Sequence, residues 1–353
     1  MTQDNPLPPG AVSAPLIPFN RAGLRGTEFA YMQESVGHLC GDGPFTRRSE
    51  RLLEEITGAK RALLTPSCTA ALEMTALLLD LQPGDEVIVP SFTFVSTVNA
   101  YVLRGARPTF CDIREDTLNL DESKLAALIT PRTKAVVPVH YAGVACEMDA
   151  ILSQCNERGV AVIEDNAHGL FGTYKGRPLG SLGAMATQSF HETKNITCGE
   201  GGALLINDPR YCERAEILRE KGTNRSRFFR GQVDKYTWVD VGSSNVPSEI
   251  CSAFLYGQLE MLDEIAERRR RIYQYYRQHL KPLEAEGWLR VPRIPEDCDS
   301  NFHLFFLLLP DLLFELLFVQ CRSRPQADGN GNLRRRFNAN NQGLDDLDSQ
   351  FVA

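Results

Sequence analysis

Short apolar runs and helical periodicities alternate along the first two-thirds of the chain. The run at 62–65 reads as a strand, and helical spacing follows from about 69 to 81. Pro83-Gly84-Asp85 turns the chain into a second apolar run at 86–90, and another helix starts near 93. The same alternation predicts strands at 108–113, 134–140 and 160–164, with helices at 121–129 and 148–158. Strands of continuous apolar character separated by helices imply a mostly parallel central sheet covered on both faces. Ligands of such α/β sheets collect at the carboxyl ends of the strands, so the loops leaving strands are where chemistry is expected.

Past residue 207 the pattern changes. Residues 208–222 read as a helix closed by Gly222, 248–283 as one long helix, and 301–309 as a final strand. From Arg322 onward the chain is rich in Asn, Gln, Gly, Arg and Asp and poor in apolar residues, a composition that cannot bury enough surface to order itself. The expected organisation is a flexible leader (1–16), a large domain (17–247), a long helix with the start of a smaller domain (248–309) and an atypical, disordered tail (310–353). The smaller C-terminal domain is therefore expected to be incomplete. That would leave Phe302, Leu304, Phe305, Phe306 and Leu307 on an uncovered strand.

Composition narrows the possible functions. With 43% hydrophobic and 24% charged residues the 353-residue chain is ordinary for a globular protein. A net charge of -7 argues against a nucleic-acid-binding surface. The 10 cysteines are scattered with no C-x-x-C pair, which fits reduced thiols in a cytoplasm better than disulfides or a metal site. The nearest approach to a membrane-spanning run, 304–319, is interrupted by Pro310, Asp311 and Glu315.

There is no G-x-G-x-x-G after the first strand and no G-x-x-x-x-G-K-[ST], so dehydrogenase and P-loop readings lose their main support. Three other segments leave strands with chemistry in them. Thr65-Pro66-Ser67-Cys68-Thr69 puts hydroxyls where a strand hands over to a helix; this is either an anion site or a plain helix cap. Val162-Ile163-Glu164-Asp165-Asn166-Ala167-His168 ends an apolar run in two carboxylates and a histidine. Asp165 there can hold a cationic ring nitrogen or simply cap the next turn. Ser189-Phe190-His191-Glu192-Thr193-Lys194-Asn195, followed by Gly199-Glu200-Gly201-Gly202, delivers a lysine into a glycine-rich loop. A desolvated lysine can form an imine with an aldehyde, whereas a lone loop lysine is ordinarily solvated.

Together these segments resemble the DegT/DnrJ/EryC1/StrS family of sugar aminotransferases, which have the type I aspartate-aminotransferase fold and use pyridoxal 5'-phosphate. The likeness runs from Ile17-Pro18-Phe19-Asn20 to about Leu309. It includes Cys40-Gly41-Asp42-Gly43-Pro44-Phe45-Thr46, Pro138-Val139-His140-Tyr141-Ala142-Gly143 and Lys221-Gly222-Thr223-Asn224-Arg225-Ser226. The run from Phe228 to Trp238 is similar to the dTDP-4-amino-4,6-dideoxygalactose transaminases, which serve enterobacterial common antigen and related polysaccharides.

The resemblance implies that Lys194 binds the cofactor as an imine and shuttles the proton, and that Asp165 keeps the pyridine nitrogen protonated. Ser67, Cys68, Thr69 and Ser189 would hold the phosphate. Phe94 would stack on the ring, and His168 would contact its 3-oxygen. Ser244 stands where many members place an asparagine that reaches the phosphate from the other subunit, so a homodimer with shared sites is implied. The expected reaction moves an amino group from glutamate to a dTDP-linked 4-keto-6-deoxy sugar nucleotide. The alternatives are a 3-keto sugar aminotransferase and an inactive, truncated cofactor-binding member. Dehydratases of the family carry a histidine where this chain has Lys194.

Overall fold

The computed structural model describes residues 21–310 and, beyond them, only two paired two-residue strands, Gln326–Ala327 and Leu333–Arg334. The expected leader at 1–16 and nearly all of the expected tail lie outside the described residues.

Two helices precede the sheet, α1 (Thr27–Ser35) and α2 (Pro44–Thr57). The alternation then follows: β1 (Arg61–Thr65), α3 (Cys68–Leu78), β2 (Glu86–Pro90), α4 (Val95–Val102), β3 (Arg107–Cys111), α5 (Glu122–Leu128), β4 (Thr133–Val136), α6 (Met148–Asn156) and β5 (Ala161–Asp165). A small hairpin, β6 (Thr173–Tyr174) and β7 (Arg177–Pro178), leads to β8 (Met185–Ser189) and β9 (Gly202–Ile206). Helices α7 (Cys212–Arg219), α8 (Arg225–Phe229), α9 (Glu249–Glu260) and α10 (Leu262–Ala285) follow, and β10 (Cys298–Asp299) pairs with β6.

The seven-stranded sheet has the order β1-β9-β8-β5-β4-β2-β3. Pairings among β3, β2, β4, β5 and β8 are parallel, and only β9 runs against its neighbours β8 and β1. Period-2 alternation explains why both faces are apolar. In β2, Val87 and Val89 join one core with Leu72 and Met74 of α3, Tyr101 of α4 and Leu218 of α7, while Ile88 faces the other core with Leu125 of α5 and Ile151 of α6. In β9, Leu204 and Ile206 join the first core, and Ala203 and Leu205 meet Leu53 of α2 and Leu255 and Leu259 of α9. Burying one such leucine stabilises by about 1.5–3 kcal/mol.

The approach to α2 is organised by one buried carboxylate. Glu249, in the first turn of α9, accepts from the backbone N–H groups of Gly43 (2.9 Å), Phe45 (2.9 Å) and Thr46 (3.0 Å). An anion thus satisfies donors that a helix start leaves without intrahelical partners.

Two expectations are corrected. The single helix expected over 248–283 is two, broken at Met261 (φ -98°, ψ 10°). Helix α9 packs against α1 and α2 and buries seven residues, whereas α10 buries only Leu262 and Tyr273, so the chain bends where it leaves the core. The strand expected at 301–309 forms no ladder beyond a single bridge between Leu308 and Arg290. The carbonyls of Phe302 and His303 are taken instead by the Arg269 guanidinium, and Phe302 has left-handed backbone (φ 55°). Its apolar face is covered in part. Tyr273 packs tilted against Phe302 and edgewise on Phe305, Tyr276 meets Phe305, and Tyr141 meets Phe306, while Leu304 and Leu307 remain exposed.

Candidate active site

The carboxyl ends of β5 and β8 are neighbours, that of β1 lies at the same edge across the antiparallel β9, and the three chemistry-bearing segments leave from them. Strand alternation sends the paired carboxylates of β5 to opposite faces. Glu164, fully buried, accepts from the N–H groups of Gly180 (2.8 Å), Leu182 (2.7 Å) and Gly183 (2.7 Å) and pairs with His140 at 2.9 Å. It is a structural anion that shapes the turn before β8.

Asp165 points to the other side. Its Oδ2 accepts from Thr97 Oγ1 (2.7 Å) and its Oδ1 from the backbone N–H of Ala167 (3.1 Å). Thr97 accepts in turn from Thr93 Oγ1 at 2.9 Å, one helical turn earlier. Burial pushes the Asp165 carboxyl above its usual range, against the pull of Thr97, Ala167 and Lys194. A cationic partner would relieve that desolvation.

Lys194 is half-buried in a loop whose turn is closed by its own N–H donating to His191 O (2.9 Å). Burial holds its ammonium below the ordinary lysine range, and the nearby Asp165 and Cys68 act in the opposite sense. Lys194 shares a small cavity with His168, Ser189, Asn195, Asn301 and His303. Burial keeps the His168 ring neutral, with its pKa lowered to about 3.

At the end of β1, Ser67 caps α3 by accepting from the N–H of Ala70 (3.1 Å), and Thr69 Oγ1 donates to Ser96 Oγ (2.9 Å). The cap expected for Ser67 is therefore present, and its hydroxyl proton remains available to another acceptor. Ahead of Ala70, the N–H groups of Cys68 and Thr69 precede the first intrahelical bonds, the position at which a helix start can receive an anion. Gly202 of β9 runs so close beneath that any side chain would overlap Ser67 and Cys68 backbone atoms. Ser189 is buried at the end of β8. Phe94 is exposed and precedes the first residue of α4, the helix that carries Thr97. Ser244 is exposed and bridges to Glu220.

The structure thus brings Lys194, His168 and Ser189 to one cavity wall, with Asp165 and Cys68 near enough to act electrostatically on the lysine. It leaves Ser244 and Phe94 on the surface of the single chain. Reading of the sequence missed Thr97, Asn301 and His303. The i, i+4 pair Thr93/Thr97 was a legible signal for the first. Asn301 and His303 were masked by the strand-like run around them.

A buried carboxylate, a capped helix start and a desolvated lysine are groups of the kind that suit a cationic ring nitrogen, an anion and an aldehyde. Fold and comparison with known proteins together define the chain as a pyridoxal-phosphate-dependent aminotransferase. It belongs to the DegT/DnrJ/EryC1/StrS aminotransferase family, whose defining pattern matches residues 25–316. Among its relatives, the spore coat polysaccharide biosynthesis protein SpsC of Bacillus subtilis (strain 168) is 37% identical over 268 residues, 75% of this chain and 68% of that one. The aminotransferase TlmJ from Streptoalloteichus hindustanus superposes with a TM-score of 0.80 at 31% identity, covering 88% of this chain and 83% of that structure. The putative sugar aminotransferase Spr1654 from Streptococcus pneumoniae, in its PLP form, gives 0.78 at 26% identity over 87% and 82%.

Proposed function

We propose that the protein transfers an amino group from glutamate to a dTDP-linked 4-keto-6-deoxy sugar nucleotide, with Lys194 as the reactive lysine. The observation that carries the reading is the pairing of a desolvated lysine with a buried carboxylate at the carboxyl edge of the sheet. Support for the sugar comes from the likeness of the Phe228–Trp238 run to 4-amino-4,6-dideoxygalactose transaminases. The names of SpsC, a polysaccharide biosynthesis protein, and Spr1654, a putative sugar aminotransferase, point the same way.

When bound, pyridoxal phosphate supplies the electron sink that a substrate carbanion requires. Asp165 holds the proton on the ring nitrogen, its geometry fixed by Thr97 and Ala167. Lys194 would hold the cofactor through Nζ, and the same nitrogen, when free, would take a proton from the substrate carbon and return it. Its lowered basicity makes the free amine more available than on an ordinary lysine. The start of α3, with Ser67, Cys68, Thr69 and Ser189, receives the phosphate. Phe94 covers the ring. His168, neutral, offers a hydrogen-bonding nitrogen to the ring oxygen without adding charge. Ser244 of the partner subunit would complete the phosphate contact, which makes the working unit a homodimer. No helix among the described residues is long and apolar enough to cross a membrane.

The test is a pair of half-reactions followed by absorbance. Glutamate is expected to bleach the lysine-linked cofactor band, and a dTDP-4-keto-6-deoxyhexose to restore it. Restoration by a 3-keto isomer alone would move the substrate assignment, and no response to any amino donor would defeat the proposal.

A further inference from the structure

Asn301 and His303 lie on the segment that departs from its expected strand, and both are buried (5% and 6% exposed). Asn301 Nδ2 donates to the carbonyls of His168 (2.6 Å) and Leu170 (2.8 Å), while its Oδ1 accepts from the N–H of His303 (3.1 Å). Gly143, with φ +81°, leaves the room Asn301 occupies: a side chain at that position would overlap Asn301 Oδ1. Asn195, the residue after Lys194, donates from Nδ2 to the carbonyl of Asn301 at 3.0 Å.

That bond fixes which way the Asn195 amide points, so the atom 2.8 Å from His303 Nδ1 is an amide oxygen. An amide oxygen only accepts, hence His303 carries a proton on Nδ1. The His303 ring lies 4.3 Å from the His168 ring. From the far side, Arg269 of α10 donates from Nε to Phe302 O (3.1 Å) and from Nη2 to His303 O (2.6 Å). One continuous set of hydrogen bonds therefore runs from α10 to the neighbour of Lys194 and to the backbone of His168.

We propose that Asn301 and His303 are positioning residues, which lock the Lys194 loop and the His168 turn into one register while Arg269 seats their backbone on α10. The inference rests on Lys194 as the reactive lysine. A loop lysine on a four-carbon stem has many rotamers, and only a fixed loop confines it to those that reach both substrate and cofactor carbons. Apolar residues would fill the same volume, but a fully satisfied polar network specifies one geometry.

The test uses the full chain with Asn195→Ala, His303→Ala, the double variant and His303→Gln, whose amide can still donate to Asn195. Each alanine variant is expected to lower kcat by on the order of 100-fold, as misplacement by about 1 Å does. KM should stay within about threefold. The double variant should lose no more than the worse single one, because the two act as a unit, and His303→Gln should recover most of the loss.

A second readout needs no turnover. In cofactor-free protein, the pH dependence of Lys194 acylation, followed by peptide mapping, should move to higher pH in the alanine variants as the loosened loop admits water. Should His303→Ala not fold, Asn195→Ala carries the test, since it removes the acceptor and leaves the packing of His303 intact. Additive losses, or an unmoved Lys194 titration with kcat within about threefold of wild type, would overturn the proposal. Borohydride trapping in the wild type separates the two readings. Trapping at Lys194 with indifferent variants defeats only the positioning role, and trapping at another lysine defeats the assignment beneath it as well.

Discussion

Asp165 is held where its charge is costly. Burial raises its carboxyl above the ordinary 3.8, so between that value and its folded pKa the native state binds more protons than the unfolded chain. Stability therefore falls as pH rises through that window, and the whole cost is present above the folded pKa. Asp165→Asn should raise the melting temperature of cofactor-free protein near neutral pH, with the gain fading below the unfolded pKa. Turnover should fall on the order of 100-fold or more, because the amide cannot hold a ring nitrogen as a cation. A variant that melts lower and turns over normally would make Asp165 a mere turn cap. For His168 the sign is opposite. Its pKa is lowered from 6.5 to about 3, so between those values the unfolded chain takes up a proton that the folded one refuses. Stability should rise with pH across that window, and His168→Gln should flatten a melting curve series over the same range. Lys194 and Asp165 were legible in the sequence because each sits just past an apolar run, where a sheet delivers side chains to its carboxyl edge. Glu164 could not be told from Asp165 by neighbourhood alone; only the strand's alternation sends one to structure and the other to the site.

Among the elements, the strand–helix alternation was readable because β2 is buried throughout and β1 and β5 at all but their first positions, which demands short apolar runs. Ends were less so. The extended chain past β4 loses its ladder near Pro138, which has no N–H to donate, although Asp165 N–H still bonds its carbonyl at 2.9 Å. The break between α9 and α10 has neither Pro nor Gly at Met261, so helical spacing ran straight through it. The segment after Ser300 has strand composition, but its aromatic residues serve Tyr273, Tyr276 and Tyr141, and its carbonyls serve Arg269. Gly202 shows how one element constrains another. Its missing side chain lets β9 pass beneath the start of α3, so Gly202→Ala should displace that helix start. The expected result is a destabilisation of about 1–3 kcal/mol in denaturant melts and cofactor affinity weakened at least tenfold by spectroscopic titration. Unchanged affinity would show that the backbone of Ser67 and Cys68 has room to spare.

At the scale of the whole molecule, Phe94 and Ser244 stand exposed on the single chain. Phe229 and Trp238, 69% and 77% exposed, add large apolar surface on the stretch between α7 and α9. A second copy of the chain is the cover the proposed function requires. Sedimentation should therefore give about twice the 39.4 kDa chain mass, and a fully active monomer would remove Ser244 from the site. What the sequence could not disclose at this scale is the tie between α10 and the lysine loop, because it runs through backbone carbonyls that carry no side-chain signature. Every role proposed for the site depends on Lys194. Purified protein loaded with pyridoxal phosphate, reduced with borohydride, digested and mapped should carry the label on the peptide containing Lys194, and Lys194→Ala should carry none and turn over no substrate. Label on any other lysine, or turnover by Lys194→Ala, would contradict it.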